Sequence, residues 1–483
     1  MTTIRQPDAF HWLAEINKAS AVMVVEQGIV PPSLAAPIAK AIATVIANGA
    51  RPGADRPGDY LALEALLIEA GGPDVTRVHS GRSRQDIGAT FIRLFLRNDL
   101  LVLLDSLNQA RDAVLSLAER DPDAIVPAYT WGVQAQPTSF GHWLGAYEAA
   151  LARSAERIRQ CHARVNLSPL GSAALGTSSF PVDRPRLADL LGFDGVAENS
   201  LDATQIAPAD LRAEAIGVAS SAALTVGMLL ADITQQYAQT RPWLILNQGA
   251  RTGVSSIMPQ KRNPSGLVHL RRLASTVAAG ASVFAFQAHN VPSGMHDYKP
   301  DGPDAMLGDA TRMLADLAGL LPDFRFDADR ALDEVNAEYS TTTELADVLQ
   351  RDADVPFRAG HHFASDLVTY GRANRLRPAE IPFAEAQRLY AHAVAGFGLP
   401  TSLPLTEPVF RETLSAQGMV RASKGLGGPQ PAEVARMLAA QRGRLAADRD
   451  WVAAARNHQA RAGVRRDAAF AALWEGDGRG GDG

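Results

Sequence analysis

Residues 92–120 read IRLFLRNDLLVLLDSLNQARDAVLSLAER, a stretch with neither glycine nor proline. Ile92, Leu96, Leu100, Leu103, Leu107, Ala110, Val114 and Leu117 recur every three or four positions, which places them on one face of an α-helix. The same pattern returns on either side. A second helix is expected from Thr138, after Pro137, to about Val165. A third runs from Asp210 to about Thr240, with Ile216, Ala219, Ala223, Val226, Leu230, Ile233 and Tyr237 on one side. A fourth starts at Pro264, where Asn263 is the expected N-cap and proline suits the first helical position. A fifth spans about Asp304 to Leu321. Strand alternation is scarce. Long helices joined by loops rich in Gly, Pro and Ser predict an all-α chain built on a bundle.

The loops over residues 71–88, 168–183, 248–264 and 290–303 gather the polar residues, so chemistry is expected there. Beyond Pro322 the pattern shortens into smaller helices. Pro356, Pro378, Pro382, Pro400, Pro404 and Pro408 mark off a separate C-terminal region, and the tail from Glu475 to Gly483 is expected to fray. The 483 residues fit about three domains. The expected division is an N-terminal helical domain over residues 1–115, a central bundle over 116–353 and a C-terminal helical domain over 354–483.

Composition narrows the function classes. With 46% hydrophobic and 20% charged residues the chain is globular, and wholesale disorder is excluded. Lys and Arg number 47 against 52 Asp and Glu, a balance of −5 that offers no electrostatic footprint for nucleic acid. The single cysteine, Cys161, excludes an internal disulfide framework and a cysteine-based metal cluster. Residues 1–16 lack an apolar stretch, so no signal peptide is expected. Residues 215–231 and 273–296 carry no Asp, Glu, Lys or Arg, but Ser, Thr and Gly dilute both below the ~18–20 mainly apolar residues of a membrane span. Both are expected to be helices buried on most sides at the centre of the bundle. The expectation is a soluble, cytoplasmic protein without a membrane partner.

The most specific segment is Ser255-Ser256-Ile257-Met258-Pro259-Gln260-Lys261-Arg262-Asn263-Pro264. Lys261 precedes a helix whose N-terminal end attracts anions. Gly249 and Gly253 let the loop move over a substrate. Serine is a poor base unless positive charge holds its alkoxide, and Lys261 offers that charge. The segment resembles the signature loop of the aspartase/fumarase superfamily, and its Met-Pro-Gln-Lys form is most similar to argininosuccinate lyases. Further blocks follow in the order that resemblance requires: residues 79–86 (HSGRSRQD), 168–175 (SPLGSAAL) with 199–203 (NSLDA), and 355–362 (VPFRAGHH). It covers roughly residues 10–440.

The resemblance implies a three-domain, fumarase/aspartase-like fold and a carbon–nitrogen lyase. It implies that Ser255 takes a proton from the carbon beside a substrate carboxylate, while Lys261 and Asn263 stabilise the charge that develops. Ser83, Arg84 and Gln85 would hold the carboxylates of a small dicarboxylate substrate, arginine through two parallel hydrogen bonds. Gln85 stands where asparagine is usual and reaches one methylene further. Thr130, Gln136, Ser256 and Met258 complete the expected substrate contacts. No metal and no organic cofactor is expected, since no Gly-rich phosphate fingerprint follows a strand and the adjacent His361 and His362 point to different sides of a helix. His142 fits the family pattern but reads as a structural hydrogen-bonder on a helix flank. The resemblance also implies a homotetramer whose active sites are each shared by three chains.

Two blocks depart from the argininosuccinate lyase pattern. In residues 129–137 (YTWGVQAQP), Trp131 stands where the histidine assigned to proton donation is found. Indole donates a hydrogen bond but shuttles no proton near neutral pH. The Thr-Trp pair is similar to the carboxymuconate cycloisomerase branch, and Trp131 alone fits core packing equally well. In residues 292–303 (PSGMHDYKPDGP), Met295, Pro300 and Pro303 take the places of a Tyr, a Gln and a Lys around the arginine half of the substrate. The expectation is therefore an enzyme that keeps the fumarate half and changes the leaving group, eliminating fumarate from an N-substituted aspartate or adding an amine to it. Loss of the histidine implies a leaving group that needs little protonation, or a donor such as His296, Tyr298 or water. A genuine argininosuccinate lyase with an altered pocket, a cycloisomerase and a catalytically silent homologue are the alternatives.

Overall fold

The computed structural model describes residues 7–295 and 303–475. Its frame is helical, as expected, with only two-stranded ladders between. The decisive helix runs Arg84–Ala118, starting before the periodic stretch because Ser83 caps it. The Ser83 hydroxyl accepts from Gln85 N, and the Asp86 carboxylate accepts from Ser83 N at 2.8 Å, so two orphan N–H groups of the first turn are satisfied. The loop expected over residues 71–88 is accordingly part helix, with a 3₁₀ turn at Pro73–His79 and helix from Arg84.

Phe140–Val165, Ala207–Gln236 and Ala305–Leu320 pack on this helix, and Ser265–Ala288 packs on the last two, making a bundle. Leu100, Leu107, Leu151, Val226, Val277 and Leu317 are among its buried side chains. A second apolar cluster joins helices Ala9–Glu26, Pro32–Gly49 and Tyr60–Gly71 to Leu94, Leu187 and Phe193. A third joins Thr342–Ala353, Phe357–Ala373 and Phe383–Val394. The first two clusters share one helix, since Leu94 faces one and Ile92 and Leu96 the other.

Four expectations need correction. The C-terminal region is not only short helices: Pro431–Glu475 is a 45-residue helix. It returns Val434, Leu438, Leu445 and Val452 to the central core and Phe470 to the N-terminal cluster. The buried side chain of Arg111 fastens it there, pairing with Glu148 at 2.9 Å and Asp448 at 2.6 Å. Second, residues 125–139 form an antiparallel hairpin, Ile125–Thr130 with Val133–Ser139, so the second long helix starts at Phe140. Third, Asn263 is no N-cap. It lies in the two-residue strand Arg262–Asn263, paired with Gly253–Val254, and Pro264 occupies the cap position. Fourth, Ser265–Ala288 is not buried on most sides. Only Leu267, Leu270, Ala274, Val277, Gly280 and Phe284 are covered, one stripe at three-to-four spacing, while Val268, Val283 and Phe286 are exposed. The helical segment Asp202–Gln236 is long and apolar enough to cross a membrane by length and composition, yet 56% of its most apolar window is buried inside the protein, as in a core helix.

Candidate active site

The signature segment is the tip of a tight hairpin. Gly253 pairs with Asn263 and Val254 with Arg262, so residues 255–261 project as a loop. The Ser255 hydroxyl accepts the N–H of Met258 at 3.1 Å, and Lys261 N donates to the Met258 carbonyl at 3.1 Å, which curls the tip. Ser255 is half-buried, whereas Ser256, Ile257, Met258 and Lys261 are exposed. The base of the hairpin is fixed. The Arg251 carbonyl accepts from Gly266 N at 2.9 Å and from the Ser265 hydroxyl at 3.1 Å, and Arg251 pairs with Asp323 at 3.0 Å. Gly319 leaves room for that guanidinium, since a Cβ there would stand 2.7 Å from Arg251 Nη2. The Gly266 N–H is therefore already bonded, and the expected reservoir of free N–H groups behind Lys261 is smaller by that donor.

The first block separates two arginines by role. Arg82 is buried, donating to Asn17 Oδ1 at 3.0 Å and Ser20 Oγ at 2.8 Å with its cation over the Tyr60 ring. His79 stacks on the same ring at 4.6 Å, and burial together with Arg82 holds its pKa down at about 4. Arg84, two residues on, is exposed at the first helical position. Among the described residues no carboxylate pairs with Arg84 or Lys261. Gly81 turns the chain just before Arg82 with φ +72, where a Cβ would collide with Val182 at 2.4 Å.

Sequence reasoning gave Asp86 no role of its own. Its second carboxylate oxygen accepts from Gly171 N at 2.9 Å and Ala173 N at 3.1 Å, docking the residue 168–175 loop onto the start of the helix. Burial pushes the Asp86 pKa up to about 6, against the opposing pull of these N–H groups and Arg82. Gln205 was missed as well. It sits in a π-turn, Asp202–Ile206, and donates to the Ala174 carbonyl at 2.8 Å. A Cβ on Gly294 would lie 3.2 Å from Gln205 Oε1, so the segment ending at Met295 rests on the same wall. The buried acid after an Ser-Arg pair and the inserted turn were the available signals, and both become readable only once the loops are folded.

The block around Trp131 occupies the other hairpin. Trp131 and Gly132 form its two-residue turn with φ +57 and +75, the left-handed pair that matches strand twist. Trp131 is fully exposed, which corrects the packing alternative: a hairpin tip carries its side chain away from every core. Thr130 and Gln136 are exposed on the same hairpin. His142 lies at its root, with Nδ1 2.7 Å from the Thr138 hydroxyl and Nε2 2.9 Å from the Gly427 carbonyl. Those partners suit an Nε2–H tautomer that holds the chain together. Among the described residues, no hydrogen bond or ion pair joins the signature loop, the Trp131 hairpin and the Ser83–Arg84 turn. His296 and Tyr298 lie outside the described residues.

Comparison with known proteins bears on the same elements. A family model described as lyase matches residues 63–279, and one described as argininosuccinate lyase C-terminal matches residues 339–421. The argininosuccinate lyase of Methanoculleus marisnigri is 33% identical over 455 residues, 92% of this chain and 90% of that one. Argininosuccinate lyase 2 of Agrobacterium fabrum is 32% identical over 470 residues, 95% and 91% of the two chains. Among solved structures, EDDS lyase in complex with formate superposes with a TM-score of 0.87 at 27% identity, covering 98% of this chain and 93% of that one. An EDDS lyase double variant with bound fumarate matches equally well. The 3-carboxy-cis,cis-muconate lactonizing enzyme of Pseudomonas putida shares the fold at a TM-score of 0.64, 19% identity and 90% and 95% coverage.

Proposed function

The chain belongs to the argininosuccinate lyase family of carbon–nitrogen lyases, and from that we propose that it eliminates fumarate from an N-substituted aspartate whose amine is not arginine. The observation carrying the substrate half is the pair of unmatched cations. Arg84 and Lys261, both in motif positions, are exposed without a carboxylate partner among the described residues, whereas Arg82, two positions before Arg84, is bonded within the protein. Cations kept open in this way suit a dicarboxylate.

In this reading Ser255 removes the proton from the carbon beside the carboxylate, and Lys261 and Asn263 stabilise the resulting negative charge. Ser83, Arg84, Gln85, Thr130, Gln136, Ser256 and Met258 position the substrate. The C–N bond then breaks, releasing fumarate and an amine that must acquire a proton. The Trp131 indole cannot supply it. His296, Tyr298 or water does. Exposed Met295, backed by the Gln205 turn, replaces a hydrogen-bonding residue with an apolar one, which favours an amine lacking a guanidinium.

We assign the protein to the cytoplasm as a homotetramer. The exposed stripe of Ser265–Ala288, with Leu224 and Met228 of the neighbouring helix, is an apolar face that a second copy would cover. Such packing would bring the separated blocks of different chains together. The domain boundaries after residues 115 and 353 remain part of the proposal.

Purified protein mixed with fumarate and a panel of amines tests the reading through decay of fumarate absorbance. Turnover with a non-guanidino amine is expected. Ser255→Ala and Lys261→Ala should each lower it by about 10³-fold or more without moving the unfolding midpoint. Brisk fumarate release from argininosuccinate would overturn the altered leaving group. Inertness towards every partner, with Ser255→Ala without effect, would mean a silent homologue.

A further inference from the structure

A cavity of about 280 Å³ opens between the Phe140–Val165 helix and the Pro431–Glu475 helix, and none of the motif blocks lines it. Its polar lining joins Arg159, His162, Asn166, His458 and Gln459 with the carboxylate of Asp194. Arg159 Nε, His162 Nε2, His458 Nε2 and Gln459 Nε2 are all buried there without a hydrogen-bond partner among the described residues. His162 is only 4% exposed. The nearest acceptors fall short: Asp448 Oδ1 stands 3.3 Å from Arg159 Nε without hydrogen-bond alignment, and Asp194 Oδ1 stands 3.8 Å from His458 Nε2. Buried polar atoms are normally paired; Arg159 Nε and Gln459 Nε2 are donors and His162 Nε2 is a donor in its Nε2–H tautomer, so these orphans around one cavity mark a place built for an acceptor. Burial, aided by Arg97, holds the His162 pKa at about 4, so its ring is neutral at pH 7.

Apolar residues stand between these polar groups on both helices. Trp451 meets His162 edge to face at 5.1 Å, and alanine side chains of both helices complete the lining. Donors and an indole on the same lining select a molecule with an anionic acceptor group and a small apolar body. Asp194 at the rim repels a second negative charge there.

We propose that this cavity binds a small organic monocarboxylate, its oxygens received by Arg159, His162 and Gln459 and its apolar body laid against Trp451. It is a second site, different in ligand from the dicarboxylate site.

Titration calorimetry of the full-length protein with benzoate, and with neutral benzamide for comparison, tests this. Saturable benzoate binding at one per chain is expected, with benzamide weaker by about tenfold or more. Gln459→Leu should weaken benzoate by about tenfold. It should leave the unfolding midpoint unchanged, because the amide nitrogen it removes has no partner. Lys261→Ala should bind benzoate as the parent does. Equal binding of benzamide, absence of saturable binding, or binding that survives Gln459→Leu but is lost in Lys261→Ala would each overturn the proposal.

Discussion

The carboxylate of Asp86 receives the backbone N–H of Gly171 at 2.9 Å, a bond between residues 85 apart in sequence. The same side chain caps its own helix through Ser83 N, so one buried acid sets both the turn that presents Arg84 and the loop behind it. Asp86→Ala strands the N–H groups of Ser83, Gly171 and Ala173. Urea unfolding should show a loss on the order of 3 kcal/mol, and turnover should fall as the Arg84 turn loosens. Unchanged stability would mean that other contacts hold the loop.

Arg82 and Arg84 should fail in opposite ways. Arg82→Ala leaves Asn17 and Ser20 without their buried donor and should cost about 2–4 kcal/mol of stability. Arg84→Ala should change stability by less than about 0.5 kcal/mol. It should instead lower kcat/KM by about ten- to a hundredfold through lost carboxylate pairing. Unfolding curves and initial rates on the two proteins separate these outcomes.

Trp131 is a large apolar side chain held in solvent on a left-handed turn. If it completes the site of a partner subunit, Trp131→Ala should leave the unfolding midpoint of the chain unaltered and still reduce kcat/KM by about tenfold or more. A fully active Trp131→Ala protein would remove it from the site.

Asp99 carries the clearest pH dependence. Burial, with the Asp304 carboxylate adding, pushes its pKa from 3.8 up to about 7, while it accepts the N–H of Asp304 at 3.1 Å. The folded protein therefore binds more protons than the unfolded chain between those values, and the Asp99 contribution to stability declines as pH rises from about 4 to about 7. Asp99→Asn cannot ionise. Denaturation across that range should show a shallower loss with rising pH in the variant than in the parent, and parallel curves would contradict it.

Phe286 is 84% exposed on the uncovered face of its helix. Phe286→Asp should shift the proposed tetramer to smaller species in size exclusion with light scattering, with activity falling alongside. A tetramer that survives the change places the interface elsewhere.

Helix positions were legible because periodicity is local: Leu100, Leu103 and Leu107 share a face whatever surrounds them. The Ile125–Ser139 hairpin was less so, since its strands are short and its alternation is broken by a bulge between Ala128 and Tyr129. Asn263 misled because Asn-Pro before a helix reads as a cap, and only the pairing with Gly253 makes it a strand. The 45-residue helix was hidden by its weak apolar stripe, Val434, Leu438, Leu445 and Val452 being spread thinly among Ala and Arg.

What the sequence by itself determined is the helical frame, the family and the residue types of the candidate site, because periodicity and a ten-residue motif survive without coordinates. Tertiary structure decided which arginine is structural and which is open, that Asp86 and Gln205 brace the loops, and that Trp131 faces solvent. The physical reason is that burial and hydrogen-bond pairing are properties of residues brought together. Arg82 and Arg84 are two positions apart, and only their neighbours in space distinguish them.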